Sequence, residues 1–261
     1  MKLDKYSLYE RSTQSPKVHI PWFASMYKEI RGKEARKMRE DFCGTFALCC
    51  EWVRQHPDNT ALGLDLDPEP IGYGKKKHLV RLKPAQQKRI TLREKDVLVP
   101  TPTKSDLIIA CNFSFYIFKQ RALLRKYFES CLRSLNSQGI LILEMAGGPG
   151  MTKTFKERKT VKGKNKFVYI WDQKSFDPIT HDAQYAIHFE LPSGQKVKNA
   201  FTYDWRLWSV PEIREILEEA GFSKSIVYWE TSHKGEGTGE YLPAETAEND
   251  FAWIAYVVGV R

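Results

Sequence analysis

Within seven residues, Arg39-Glu40-Asp41-Phe42-Cys43-Gly44-Thr45, the chain brings together two carboxylates, a glycine and a hydroxyl. A glycine between a buried strand and a helix lets the backbone approach a ligand closely, because it has no Cβ. The helix expected from Thr45 to about His56 offers unpaired N–H groups and a partial positive charge at its start. That is a seat for a carboxylate or phosphate. Downstream, Gly63-Leu64-Asp65-Leu66-Asp67-Pro68 ends an apolar strand in acid. About twenty residues separate Gly44 from Asp65, the distance at which an acid closing a second strand hydrogen-bonds ribose hydroxyls. Asp65 is therefore the expected ribose ligand, with a turn carboxylate as the alternative. Asp67 reads as the cap of the helix that Pro68 opens.

A second group of polar residues follows the apolar run Ser105–Ala110. Asn112 and Ser114 fall at the carboxyl end of that strand, where ligands bind in open α/β sheets. Further on, Tyr116, Trp171, Tyr203, Trp205 and Arg206 are candidates for ligand contact, as is Tyr9 in the aromatic N-terminal segment. Aromatic walls attract a cationic ligand. His181, beside the Pro178 turn, is the candidate general base. His188 lies mid-strand and reads as a structural histidine. The five cysteines show no CxxC or Cys/His spacing for zinc, so no metal site is expected. They read as reduced cytosolic thiols, and Cys43 as a small buried filler at the turn.

At Arg39–Leu48, and in the order of elements after it, the sequence resembles the class I S-adenosylmethionine-dependent methyltransferases of the small-molecule type. Cys43-Gly44-Thr45 stands inside the family's first motif, with Glu40 or Asp41 as its acid. Phe42 and Phe46 depart from the pattern, standing where the family has glycine. The resemblance implies S-adenosylmethionine as cofactor and S-adenosylhomocysteine as product. It implies a cofactor site of Glu40, Asp41, Phe42, Cys43, Gly44, Thr45, Asp65 and Leu66. Asp96 and Val97 match the adenine-binding position. Asn112 and Phe113 match the fourth motif, beside the path from methyl group to acceptor. Substrate contacts fall on Tyr9, Ser114, Tyr116, Trp171, Tyr203 and Arg206, and Tyr116 and His181 are the catalytic candidates.

These residues need a scaffold, and the pattern supplies an α/β one. The expectation is a Rossmann-like class I methyltransferase fold. It has a mostly parallel seven-stranded sheet with helices on both faces and an inserted antiparallel β subdomain. Residues 1–31 read as an N-terminal helical cap broken at Pro16 and Pro21. Residues 32–150 and 206–261 form the Rossmann-like domain. Helical periodicity disappears between 151 and 205, where three alternating stretches suggest an antiparallel cover over the acceptor. Asn136-Ser137-Gln138-Gly139 is expected to stop a helix before a fifth strand at Ile140–Met145. A loop from Ser232 to Asn249 joins the last two strands.

At 261 residues, with 42% hydrophobic and 13% aromatic residues, the chain has ample material for a core, which excludes wholesale disorder. No apolar run is long enough to span a bilayer, and Met1–Lys5 lacks the apolar stretch of a signal peptide. The expected setting is the cytoplasm, without membrane contact, as monomer or homodimer. A net charge of +9 keeps nucleic acid open as a partner. Three function classes remain: a small-molecule N- or O-methyltransferase, an RNA or DNA methyltransferase, and a non-catalytic S-adenosylmethionine-binding protein.

Overall fold

The computed structural model describes residues 4–163, 165–233 and 236–261. In chain order the helices are α1 (Lys5–Thr13), α2 (Pro16–Arg31), α3 (Ala47–Gln55), α4 (Pro68–Lys77), α5 (Pro84–Gln87), α6 (Arg121–Ser134) and α7 (Val210–Glu219). The strands of the first half are β1 (Lys37–Asp41), β2 (Thr60–Asp65), β3 (Ile90–Glu94), β4 (Ser105–Ala110) and β5 (Leu135–Gly147). A second group comprises β6 (Phe155–Val161), β7 (Phe167–Phe176), β8 (Asp182–Glu190) and β9 (Lys196–Arg206). The chain closes with β10 (Lys224–His233), β11 (Glu236–Pro243) and β12 (Trp253–Val260).

The main sheet has eight strands in the order β11-β10-β12-β5-β4-β1-β2-β3. The five strands from β3 to β5 run parallel, and β12 lies antiparallel to β5. Strand order reverses between β1 and β4, so the crevice beyond their carboxyl ends is the natural ligand site. One face carries α6 and α7, with Ile213 and Leu217 of α7 packed in one core with Ile108, Leu141 and Leu143. The other carries α2 and α3 over Met38, Leu107, Ile109 and Ile142.

The sheet has eight strands rather than the expected seven, because the Ser232–Asn249 segment is not all loop. β11 folds back on β10. Tyr241 gives it a reason to do so, with its ring 5.1 Å from Trp22 and 5.0 Å from Tyr256. Gly139 does not stop a helix in the left-handed region, and α6 passes directly into β5. That glycine permits close approach instead, since a Cβ there would lie 2.7 Å from Leu135 Cβ. Pro21 does not break the N-terminal segment but lies inside α2. The lost hydrogen bond is offset because Ile20, Phe23, Met26 and Tyr27 are all buried along that helix.

The inserted sheet is antiparallel, in the order β6-β7-β8-β9. It has four strands, one more than the three stretches read from sequence. β6 is missing from that reading because Phe-Lys-Glu-Arg-Lys-Thr-Val is charged at both faces, as befits a protected sheet edge. The insert packs downward rather than standing clear: Tyr185 and Trp205 join the α6–α7 core. Leu8 of α1 meets Phe167, Ile187 and Phe189 in a small cluster. Helix α1 is thereby held between the two sheets.

Candidate active site

After β1 the backbone takes an alternating path. Phe42, Gly44 and Phe46 have φ of 55°, 51° and 48°, the left-handed region that glycine enters most easily. Two phenylalanines thus hold a conformation that glycine adopts at least cost. Phe46 is fully buried, and its ring turns away from the turn onto α4. Gly74 makes the room: a Cβ there would collide with the Phe46 ring and the Thr45 carbonyl. Phe42 leans on Phe118 and Tyr127, with centroids 5.9 and 5.8 Å away. The turn therefore keeps its path and its opening.

Asp65 ties the two strand ends together. One of its oxygens accepts from Gly44 N–H at 2.7 Å and the other from Asp67 N–H at 2.9 Å. Asp67 caps α4 by accepting from Glu69 N–H. Of the two candidate acids on β1, Asp41 turns its carboxylate to Arg39, at 2.6 and 2.9 Å, and to the Tyr127 hydroxyl at 2.9 Å. Glu40 points to the other face and accepts from Cys49 N–H at 2.9 Å, closing the first turn of α3. Burial pushes the Glu40 carboxyl up to about 8, with Asp65 and Asp41 adding to the shift and the Cys49 hydrogen bond opposing it.

These elements open into a cleft of about 470 Å³, within the range of roughly 300–1,000 Å³ for small-molecule sites. Its floor is the 40–45 turn with Asp65, Asp67, Asn112 and Ser114. Its opposite wall comes from α1 and β9, through Tyr6, Tyr9, Phe201, Thr202, Tyr203 and Trp205. Glu10 on α1 accepts from Thr45 Oγ1 at 2.6 Å and meets His78 Nε2 at 2.6 Å, which pins the helix to the turn. Tyr9 packs on Phe201 at 4.8 Å. Burial raises the Tyr9 phenol to about 12 and drives that of Tyr203 well up, so both stay neutral hydrogen-bonding groups.

Of the residues singled out from sequence, Tyr9, Glu40, Asp41, Phe42, Cys43, Gly44, Thr45, Asp65, Asn112, Ser114 and Tyr203 line this cleft. The others do not. Leu66 is 68% exposed. Val97 is a core residue, and Asp96 accepts from Leu98 N–H at 2.9 Å in a local turn. Phe113 follows Asn112 in the left-handed region and packs edge-on against Trp205, 6.1 Å away. Tyr116 is completely buried, its hydroxyl donating to Ala146 O at 2.8 Å and accepting from Ala146 N–H at 3.2 Å. A phenol so satisfied supports the fold, and it is not part of the cleft lining. His181 is exposed on the β7–β8 turn, outside the cleft lining. Trp171 stacks on Tyr185 at 5.1 Å, behind the wall. Arg206 is held by Lys119 O and Glu212 and lies over the Trp208 ring.

Lys5, Gln14, Cys111, Ile117, Phe201 and Thr202 also line the cleft. No local motif marks Lys5, Gln14, Phe201 and Thr202, since α1 and β9 reach the cleft only through tertiary packing, whereas Cys111 and Ile117 follow β4 beside Asn112 and Ser114. The aromatic density of the N-terminal segment was the one available signal. A larger concavity, about 600 Å³, lies between α7 and β10. It holds neither the glycine turn nor the parallel strand ends.

Solved structures share this fold. An amino pentose methyltransferase from Micromonospora echinaspora, solved with S-adenosylmethionine bound, matches at a TM-score of 0.69 and 13% identity, over 98% of both chains. DesVI from Streptomyces venezuelae matches at 0.73 and 15%, over 100% of this chain and 99% of its own. This is the class I methyltransferase fold. A sugar N-methyltransferase from Streptoalloteichus shares it at 0.67 and 17% identity, over 98% of this chain and 92% of its own. No protein-family model matches the sequence, and comparison with curated proteins gives no match. On this fold the cleft described above stands at the carboxyl ends of β1, β2 and β4. Among the described residues, no helix is long and apolar enough to cross a membrane.

Proposed function

We propose that the chain transfers a methyl group from S-adenosylmethionine to an amine of a small acceptor, leaving S-adenosylhomocysteine. One observation carries the reading: a single cleft with a carboxylate-bearing glycine turn on one side and an aromatic wall on the other. The residues present fit the cofactor. A Cβ at Gly44 would meet nothing within 4 Å, so the turn faces open space. Gln14 Oε1 is buried at the cleft without a hydrogen-bond partner among the described residues, and a donor on a bound molecule would satisfy it.

In this reading Asp65 holds the ribose hydroxyls and the 42–45 turn presents its backbone to the methionine portion. Bound there, the sulfonium supplies an electrophilic methyl group. The α1 and β9 wall orients the acceptor in line with it and excludes water. The carboxylates of the lining, Glu40, Asp41, Asp65 and Asp67, all lie on β1, on β2 or in the turn after β2. The aromatic wall carries no carboxylate or imidazole among its described residues, and its phenols are poor bases. That supports an acceptor bringing its own lone pair. Desolvation by aromatic rings favours a neutral amine over an ammonium. An aliphatic hydroxyl would need a base. The structural neighbours that are amino pentose and sugar N-methyltransferases agree with this choice.

A polynucleotide would require an open basic channel, whereas the described cleft lining holds one lysine beside four acidic residues. We assign residues 1–31 as the cap, 32–150 and 206–261 as the cofactor domain, and 151–205 as the acceptor cover. The free, buried thiols suit action in the reducing cytoplasm, by a monomer or homodimer. The test is titration with S-adenosylhomocysteine, followed by methyl transfer from labelled S-adenosylmethionine to a panel of amino sugars and their hydroxyl analogues. Binding with transfer to amines alone is expected. Absence of binding, or transfer to the hydroxyl analogues, would overturn the proposal.

A further inference from the structure

The net charge of +9 is not used at the cleft. Part of the excess gathers in a groove of about 300 Å³ across β1, β2 and β3. Register explains its walls. Lys37 pairs with Thr60, Leu62 with Thr91 and Leu64 with Arg93, which places these side chains on one face of three adjacent strands. In a doubly wound sheet a crossover helix covers such a face. Here residues 95–104 join β3 to β4 without a helix, and Lys37, Thr60, Thr91 and Arg93 stay exposed while Leu64 is buried.

Five cationic side chains line the groove, Lys37, Lys88, Arg89, Arg93 and Lys104, and no carboxylate does. Among the described residues none of the five forms an ion pair, although Lys5, Lys28, Lys119, Arg121 and Arg158 elsewhere on the surface do. Arg89 is fixed by the carbonyls of Val53, His56 and Asn59, which orient its charge without neutralising it. Lys104 donates to the Arg133 carbonyl. Lys37, Lys88 and Arg93 remain exposed. Thr60, Thr91 and Thr103 add hydroxyl donors along the same groove.

We propose that this groove binds a small anion carrying two or more phosphate groups. Clustered cations without counter-charges repel one another, and a multivalent anion relieves that repulsion. Lysine meets phosphate oxygens as a point charge and Arg93 as a two-pronged donor, while Arg89, its N–H groups held by backbone carbonyls, contributes charge alone. No aromatic residue lines the groove, so nothing offers a stacking platform for bases. That separates a compact oligophosphate from a polynucleotide, whose binders combine basic tracks with stacking rings. No residue lining this groove also lines the cleft, so its occupancy does not depend on the methyltransferase reading.

The test is calorimetric titration of the full chain with tripolyphosphate at low and physiological salt. We expect saturable one-to-one binding whose affinity falls steeply as salt rises. The double variant Lys88→Gln/Arg93→Gln should weaken it at least tenfold. Both side chains are exposed, and an unchanged urea midpoint would show that the variant is folded; if it is not, Arg93→Gln alone should weaken binding several-fold. No saturable binding at low salt, or binding indifferent to these substitutions, would overturn the proposal. So would a single-stranded oligonucleotide that binds the groove more tightly than tripolyphosphate and displaces it, because the partner would then be nucleic acid.

Discussion

Glu40 is a carboxyl group that burial raises to about 8. Below its ordinary range near 4.3 both folded and unfolded states are protonated, and the shift has no effect. As pH rises from there to 8, the unfolded chain ionises while the folded carboxyl keeps its proton, so stability falls. Above 8 the loss is complete. Denaturant melts across pH 5–8 should therefore show Glu40→Gln gaining on the wild type as pH rises, and parallel curves would refute the shift. Asp65 bears a different load, holding Gly44 N–H at 2.7 Å while facing the cleft. Asp65→Ala should cost roughly 2–4 kcal/mol of S-adenosylhomocysteine binding, as for one side of a charge-assisted pair. Calorimetry on the folded variant checks it. Phe46 makes the opposite prediction. Its buried ring packs on Gly74 away from the ligand, so Phe46→Ala should cost about 3–5 kcal/mol of stability. Cofactor affinity should change less than tenfold, or ~1.4 kcal/mol.

At the scale of elements, α1 closes the cleft. Its nine residues are too few to be a stable helix alone. It is held by Leu8 in the cluster with β7 and β8, and by Glu10 on Thr45 and His78. Leu8→Asp puts an unpaired carboxylate into that cluster and should release the helix. The expected result is a folded protein with tryptophan emission shifted by the exposed wall and with cofactor affinity lowered at least tenfold. Unchanged affinity would show that α1 is not part of the site. The insert is tied in more deeply. Because Tyr185 and Trp205 complete the main core, β6–β9 cannot be deleted without opening it. The acceptor wall is better tested by Phe201→Ala, which should lower turnover while leaving cofactor binding nearly intact.

Across the whole molecule, all five cysteines are free and buried. Burial raises the thiols of Cys43, Cys49, Cys111 and Cys131 well above their ordinary value, and that of Cys50 to about 12. A raised thiol is a poor nucleophile. The native protein should leave its thiols almost unreacted with an aromatic disulfide reagent at neutral pH, and five should react after unfolding. A fast-reacting thiol in the native state would mean that the cleft opens far enough to expose Cys43 or Cys111, which line it. Charge is also divided at this scale: carboxylates gather at the cleft and unpaired cations across β1–β3.

The sequence by itself determined the periodic and punctuated features. The apolar runs at Leu62–Leu64, Leu107–Ala110 and Ile140–Leu143 set the parallel strands, and Gly44 with Asp65 set the turn and its acid, because these signals are local. Caps were legible for the same reason: Asp67 and Ser209 bond backbone within three residues. Tertiary structure alone decided which of these groups meet. Leu66, Asp96, Phe113, Tyr116, Trp171, His181 and Arg206 have suitable chemistry, but packing sends each into the core, a local turn or solvent. Gln14 and Phe201 reach the cleft because α1 and β9, 187 positions apart between those two residues, are pressed together by burial. The phenylalanines at 42 and 46 show the same division. Sequence marks them as departures from glycine, and only their positive φ and the space left by Gly74 show how the turn keeps its shape.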